Sequence, residues 1–177
     1  MITIRHERAS DIAAREALLD EAFGEMRFRK SSERLREQRL AADGLSLIAA
    51  EGQRVIGTAR MWNIGVGNRS SAVLLGPVAV ACDAQRRGIG AALVKRAIRE
   101  ARKANHAAVV LVGDAEYYGR FGFSNATTGA LSMPGPYEPH RLLAVELVPG
   151  ALDGACGTIA AAGTLIQARR SRRRRAA

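Results

Sequence analysis

The sequence predicts a single mixed α/β domain organised around one strand–helix–strand unit, and three observations carry that prediction. Residues 88–104 place Gly90, Val94, Ala97, Ile98 and Ala101 on one helical face, with Lys95, Arg99, Arg102 and Lys103 on the other. Apolar runs flank this helix, SAVLLGPVAV at 71–80 and HAAVVLV at 106–112, as two buried strands would. Shorter stretches near both ends, ITIRHE at 2–7 and RLLAVELV at 141–148, alternate with the period of half-buried strands. Two strands joined through a helix pair in parallel, with a right-handed crossover.

The remaining elements follow in order. Ser10-Asp11 is placed to cap a helix over IAAREALLDEAF, whose apolar positions are Ile12, Ala13, Leu18, Leu19 and Phe23. A second helix is predicted from Ser32 to Ala42, opened by Ser31-Ser32 and closed near Gly44. LSLIAAEG and RVIGTARMWNIGV read as two strands joined by a tight hairpin at Glu51-Gly52-Gln53. The 71–80 strand carries Gly76-Pro77 in its middle, YYGRFGF is turn-rich, and Pro134-Gly135-Pro136 marks a further turn. Beyond Gly150 the Gly/Ala-rich sequence predicts an irregular extension. The expected organisation is a domain over 1–150, that extension over 151–168, and a disordered Arg-rich tail over 169–177.

Composition bounds the function. A chain of 177 residues, 47% hydrophobic and 25% charged, is one ordinary globular domain. No run approaches the roughly 18 to 20 apolar residues that cross a bilayer. MITIRHERAS lacks the basic flank and apolar stretch of a signal peptide, so a cytoplasmic protein without a membrane partner is expected. Cys82 and Cys156 are far apart, and His6, His106 and His140 are scattered, so no metal site is expected. The net charge of +10 invites a nucleic-acid reading, but six arginines lie in the last nine residues, and removing six leaves +4. Such a block repels itself, and its expected action is weak, salt-sensitive binding of polyanions.

The informative stretch is Gln85-Arg86-Arg87-Gly88-Ile89-Gly90-Ala91, between an apolar strand and a helix start. Small residues there let successive backbone N–H groups converge into a nest for an anion, reinforced by the helix N-terminus. Gly88 and Gly90 permit close backbone approach, Arg86 and Arg87 add charge, and the expected ligand is a phosphate or pyrophosphate. A P-loop is excluded, because no Lys-Ser or Lys-Thr follows these glycines. A dinucleotide site fits poorly: Leu93 stands at the third glycine position, although Asp114 imitates a ribose-binding acid. A glycine-rich helix start without a ligand remains the bland alternative.

LGPVAVACDAQRRGIGAALVKRAIREA resembles the acetyl-CoA-binding core of the GNAT N-acetyltransferase superfamily, whose signature Q/R-x-x-G-x-G/A is matched by Gln85, Gly88 and Gly90. YYGRFGF, after the next strand, resembles that superfamily's second marker, and the resemblance spans roughly residues 2–148. Gly113-Asp114 stands where an Asn often opens the following short helix, as in a branch of small bacterial predicted acetyltransferases. The resemblance implies a mixed, mostly antiparallel sheet with two splayed parallel strands, flanked by helices. It implies acetyl-CoA as co-substrate, its pantetheine arm along Val78, Ala79 and Val80 and its pyrophosphate on the amides of Arg86 to Ala91. Gly113 and Phe121 join that cofactor set, and Gly76-Pro77 marks the bulge common in the first splayed strand.

The same resemblance assigns Tyr118 as the general acid for the departing thiolate, with packing as its alternative role. No acid lies on SAVLLGPVAV, and Asp83, Asp114 and Glu116 read as turn or cap residues, so the base is unassigned. The acceptor, a small-molecule or peptide amine, is expected against Phe23, Met26, Phe28 and the turn from Met133 to His140. The expected protein is a monomeric or homodimeric N-acetyltransferase. Its rival is a catalytically silent acetyl-CoA sensor or nucleic-acid-associated module.

Overall fold

The computed structural model describes residues 1–67 and 69–166, so the Arg-rich stretch at 169–177 lies outside the described residues. Strands β1 (Ile2–His6), β2 (Ser46–Glu51), β3 (Arg54–Val66), β4 (Arg69–Val80), β5 (Ala108–Val112) and β7 (Leu142–Glu146) lie side by side in that order. Every neighbour pair is antiparallel except β4 and β5, which are parallel. The crossover between them is helix α2 (Ile89–Lys103), as the strand–helix–strand pattern predicts. The hairpin turns through Gly52 and Gln53, with Glu51 paired to Arg54 and Gly52 at φ +61°.

Side-chain alternation divides the core between the two faces of this sheet. Val73, Leu75, Val109, Leu111 and Leu143 face helix α1 (Ile12–Phe23) and α2. There Leu18, Leu19, Leu93, Val94, Ala97 and Ala101 are buried against them. Ala72, Leu74, Ala108, Val110, Leu142 and Ala144 face the other way, onto Trp62, Leu131, Met133, Leu152, Ala155 and Ile159. The second face is therefore covered by chain beyond residue 130 and by Leu35, rather than by an α-helix.

That covering departs from the irregular extension read in the sequence. Strand β8 (Gly157–Thr158) pairs in parallel with β6 (Leu131–Ser132), and β9 (Ala160–Ala161) adds antiparallel to β3 at Ile64 and Gly65. The helix predicted over 32–42 is also absent. A five-residue 3-10 turn, Ser31–Leu35, stands there instead, after another at Glu25–Arg29. Tertiary bonds account for the difference: the Leu40 N–H donates to Thr164 and the Ala42 N–H to Met61, both at 2.9 Å. Those bonds hold the backbone extended against a modest helix propensity. At the first helix the predicted cap works backwards, since the Asp11 carboxylate accepts from the Arg8 N–H at 2.7 Å and pairs with Arg5 at 2.6 Å. The turn-rich YYGRFGF region opens as a short helix, α3 (Ala115–Gly119), capped by Asp114, which accepts from the Tyr117 N–H at 3.0 Å.

Gly76-Pro77 forms the bulge expected of it. β3 advances from Ala59 to Met61 while β4 moves from Leu75 to Val78, so β4 carries one extra residue. Gly76 takes φ +138°, and the Trp62 indole N–H donates to its carbonyl at 2.7 Å, pinning the bulge from the neighbouring strand. Among the described residues no helix is long and apolar enough to cross a membrane.

Candidate active site

The bulge ends the parallel pairing. β4 and β5 are bonded only from Ala72 opposite Ala108 to Leu74 opposite Val110, and beyond that point the strands part. The resulting cleft, about 300 Å³, lies between the Leu75–Val78 stretch of β4 and Val112, Gly113 and Tyr118. Its β4 wall is an unpaired strand edge. Ala81 donates to Ile56 at 2.9 Å, and bonded pairs alternate along an antiparallel ladder, so Ala79 faces β3 while the amide and carbonyl of Val78 and Val80 face the cleft. Of the three residues the sequence points to, two thus offer free backbone groups.

A second hollow, about 360 Å³, sits at the N-terminus of α2 and is lined by Val80, Gln85, Arg86, Gly88, Gly90 and Tyr117 among others. The first helical bond of α2 runs from the Ala92 N–H to the Gly88 carbonyl at 3.0 Å. The amides from Arg86 to Ala91 are therefore without an intramolecular acceptor among the described residues. Arg86 at φ +61° and Gly88 at φ +77° turn these N–H groups inward, the geometry of an anion nest. Added Cβ atoms meet different things at the two glycines. At Gly88 one would touch nothing within 4 Å, so the positive φ is what requires glycine there. At Gly90 it would stand 3.1 Å from the Tyr117 hydroxyl, so glycine is needed for close approach.

The charge around this nest differs from the sequence expectation. Arg87 turns away and pairs with Glu51 of β2 at 2.7 Å, which holds the Glu51 carboxyl below its ordinary range. Arg120 takes its place on the rim, with its guanidinium 4.0 Å from the Tyr117 ring centroid. Ile89 contributes its amide while its side chain is buried in the core. Phe121 packs edge-on to Tyr117, with centroids 5.6 Å apart, and belongs to the apolar core margin rather than to the hollow.

Tyr118 lines the cleft between the two strands. Its ring lies directly on Gly113, where an added Cβ would approach Tyr118 Cε2 to 2.5 Å. Gly113 thus sets the position of the phenol, a role its place in the sequence does not reveal. Phe123 and Tyr117 hold the ring edge-on at 5.8 and 4.9 Å. Burial, with a smaller contribution from Tyr117, pushes the phenol up to about 12, so it stays protonated at any ordinary pH.

The three acids read as structural are all engaged in structure or remote from the cleft. Asp83 pairs with Arg54 at 2.7 Å, Asp114 caps α3, and Glu116 lies in the first turn of that helix. The acceptor wall is only partly as expected: Phe23 lines the cleft and Tyr137 and Glu138 line its continuation. Met26 and Phe28 are 60% and 58% exposed, and Met133 is buried in the core. What the sequence hides is a set of cations, Arg27, Lys30, Arg36 and Arg141, drawn to the cleft from three separate segments. No motif spacing links them, and only the fold brings them together.

A family model described as the acetyltransferase (GNAT) family matches residues 13–123. No curated protein matches the sequence. Among solved structures, a GNAT family N-acetyltransferase (YhbS) from Escherichia coli in complex with CoA is 28% identical. That match covers 91% of this chain and 89% of the other, with a TM-score of 0.77. A GNAT family acetyltransferase from Brucella melitensis in complex with acetyl-CoA is also 28% identical, covering 82% and 96% with a TM-score of 0.57. The Escherichia coli ribosomal-protein-S18-alanine N-acetyltransferase shares the fold, at 21% identity, coverage of 84% and 95%, and a TM-score of 0.53.

Proposed function

Since the chain belongs to the acetyltransferase (GNAT) family, we propose that it transfers the acetyl group of acetyl-CoA to a primary amine by direct attack. The observation that carries this reading is the continuity of three features along one path. The acceptor-free amides of Arg86 to Ala91 lead to the open β4 edge at Val78 and Val80, and that edge faces Tyr118 across the cleft. The amides, with Gln85, Arg86 and Arg120 around them, hold the pyrophosphate. The β4 edge holds the pantetheine arm and directs a free N–H at the thioester carbonyl.

The reaction then asks little of side chains. The neutral amine nitrogen attacks the carbonyl carbon, a C–N bond forms, and the oxyanion rests on the β4 amide. Collapse breaks the C–S bond, Tyr118 donates its proton to the departing sulfur, and the surplus proton on the product nitrogen passes through water back to the Tyr118 phenolate. A phenol held near 12 is a weaker acid than a thiol in water, at ~8.5. The thiolate emerges in the same desolvated cleft, which raises its own affinity for a proton. Desolvation of the thiolate therefore narrows the gap that separates Tyr118 from a solvated thiol.

The test measures thiol release from acetyl-CoA over a panel of amines, with calorimetry of acetyl-CoA on wild type and Gly88→Val. Valine disfavours φ +77°, so the loop is driven out of the conformation that aims its amides inward, and affinity should fall by about tenfold or more. Unchanged affinity in a folded Gly88→Val protein would remove the loop from the site. Tight acetyl-CoA binding with no thiol release on any amine would leave a sensor rather than an enzyme.

A further inference from the structure

The acceptor side of the cleft is more basic than a site for a plain amine requires. Four cationic side chains, Arg27, Lys30, Arg36 and Arg141, line it against a single carboxylate, Asp114, which is occupied in capping α3. Two of the four are neutralised locally. Arg27 pairs with Glu16 at 2.7 Å and Asp20 at 2.9 Å, and Arg36 pairs through Nε and Nη2 with Glu33 at 2.9 and 2.8 Å. Arg36 is nonetheless only 8% exposed, and its Nη1 lies 4.0 Å from where a Cβ on Gly76 would stand, at the bulge that opens the cleft. That nitrogen makes no hydrogen bond among the described residues.

Lys30 and Arg141 make no ion pair among the described residues. The Lys30 ammonium sits 4.7 Å above the Phe23 ring, and Arg141 is tied to the end of β5, its Nε donating to the Gly113 carbonyl at 3.4 Å. Lys30 is exposed on its outer side, yet partial desolvation lowers its pKa, and Arg36 and Arg141 lower it further, the sign of like charges converging on one space. The acids near this group are spoken for or turned outward: Glu33 is on Arg36, and Glu138 is exposed beside His140 at 3.4 Å. Lys30 and Arg141, without ion pairs among the described residues, line one cleft with Arg36 and favour an anion between them.

We infer that Lys30, Arg36 and Arg141 form an anion subsite beside the acetyl-transfer cleft, and that the acceptor is a small amine carrying its own carboxylate or phosphate. The inference rests on the acetyl-transfer reading and names the substrate class of that same site. An ammonium entering a cationic cleft without an anion of its own is repelled by the field. The anionic group seated on the cations offsets the repulsion that would otherwise keep a free ammonium out. Polyamines, with several ammonium groups and no anion, are excluded by the same field.

The test uses the full chain loaded with CoA and three matched pairs of amines. They are β-alanine against propylamine, O-phosphoethanolamine against ethanolamine, and L-phenylalanine against phenethylamine, with spermidine as the polycation. In calorimetry the anionic member of at least one pair should bind at least about tenfold more tightly than its partner, the scale of one charge-assisted hydrogen bond. The carboxylate and phosphate pairs show which anion is preferred. Lys30→Gln/Arg141→Gln, both exposed positions, should abolish that preference, and Lys30→Gln alone should weaken it with acetyl-CoA affinity unchanged. Equal binding within every pair, tighter binding of spermidine, or a preference that survives in the double variant overturns the subsite. Thiol release separates the two readings. Turnover of neutral amines as fast as anionic ones overturns the subsite and leaves acetyl transfer intact, whereas anionic amines that bind selectively without turnover uphold the subsite and overturn the transfer.

Discussion

Replacing Tyr118 with phenylalanine should lower kcat by roughly 10² to 10⁴-fold, the usual contribution of a positioned general acid, with acetyl-CoA affinity retained. The ring is held by Gly113 beneath it and by Tyr117 and Phe123 at its edges, and phenylalanine keeps all of those contacts. Only the hydroxyl is lost. The size of the loss in kcat, rather than the shape of the pH profile, separates an acid from a packing residue. With the phenol held near 12, Tyr118 stays protonated from neutral pH to well above 10, so it contributes no basic limb in that range. The limb that remains is the acidic one, from deprotonation of the incoming amine, and it should persist in the variant at the same pH. A kcat equal to wild type with chemistry rate-limiting would show that the hydroxyl donates nothing. Gly113→Ala supplies an independent check, because its methyl would press on the ring at 2.5 Å and displace the phenol without removing it. Its kcat should fall as well.

Much of this site is legible in the sequence because it is built from backbone. A nest needs small residues in a short run before an amphipathic helix, and Gly88 and Gly90 announce it without help from distant chain. The bulge is legible for the same reason, since Gly76-Pro77 disrupts a ladder wherever it falls. Side-chain assignments travelled less well. Arg87 reads as a phosphate ligand by adjacency, yet Glu51 across the sheet claims it, and Arg120, about thirty positions on, reaches the rim instead. The acceptor cations arrive from the turns after α1 and from the turn that precedes β7, and no local pattern joins those segments. The predicted helix over 32–42 fails for a related reason. Its amphipathic pattern is weak, and bonds from Leu40 to Thr164 and from Ala42 to Met61 decide its backbone. Local rules describe the elements that carry their own hydrogen bonds, and they miss the segments whose partners lie in other elements, from about twenty to more than a hundred residues away.

The Thr164 bond to Leu40 makes the chain after Gly150 the next place to test. A protein ending at Gly150 should lose its cooperative fold, whereas one ending at residue 168 should keep it. The segment between contributes Leu152, Ala155 and Ile159, which are 3%, 4% and 1% exposed, to the second face of the sheet. Replacing one such Leu or Ile by alanine costs about 2 to 5 kcal/mol. A whole domain is stable by only about 5 to 15 kcal/mol, so removing both along with two short strands takes the protein to its threshold. The damage reaches the site by a specific route. Trp62 is buried under this cover and pins the Gly76 carbonyl at the bulge, and bonds to Thr164 and from Ile166 to Gln38 hold the segment that carries Arg36. As the sole tryptophan, Trp62 reports all of this in one signal. Its emission should shift to the red in the shorter protein at temperatures where the longer one still emits as a buried indole. Leu152→Ala, which deletes side chain without deleting backbone, should lower the melting temperature while leaving the folded emission in place. If the protein ending at Gly150 melts cooperatively at the wild-type temperature with Trp62 still shielded, then the second face is covered some other way. The bulge, and with it the opening of the cleft, would then depend on β3 and β4 alone.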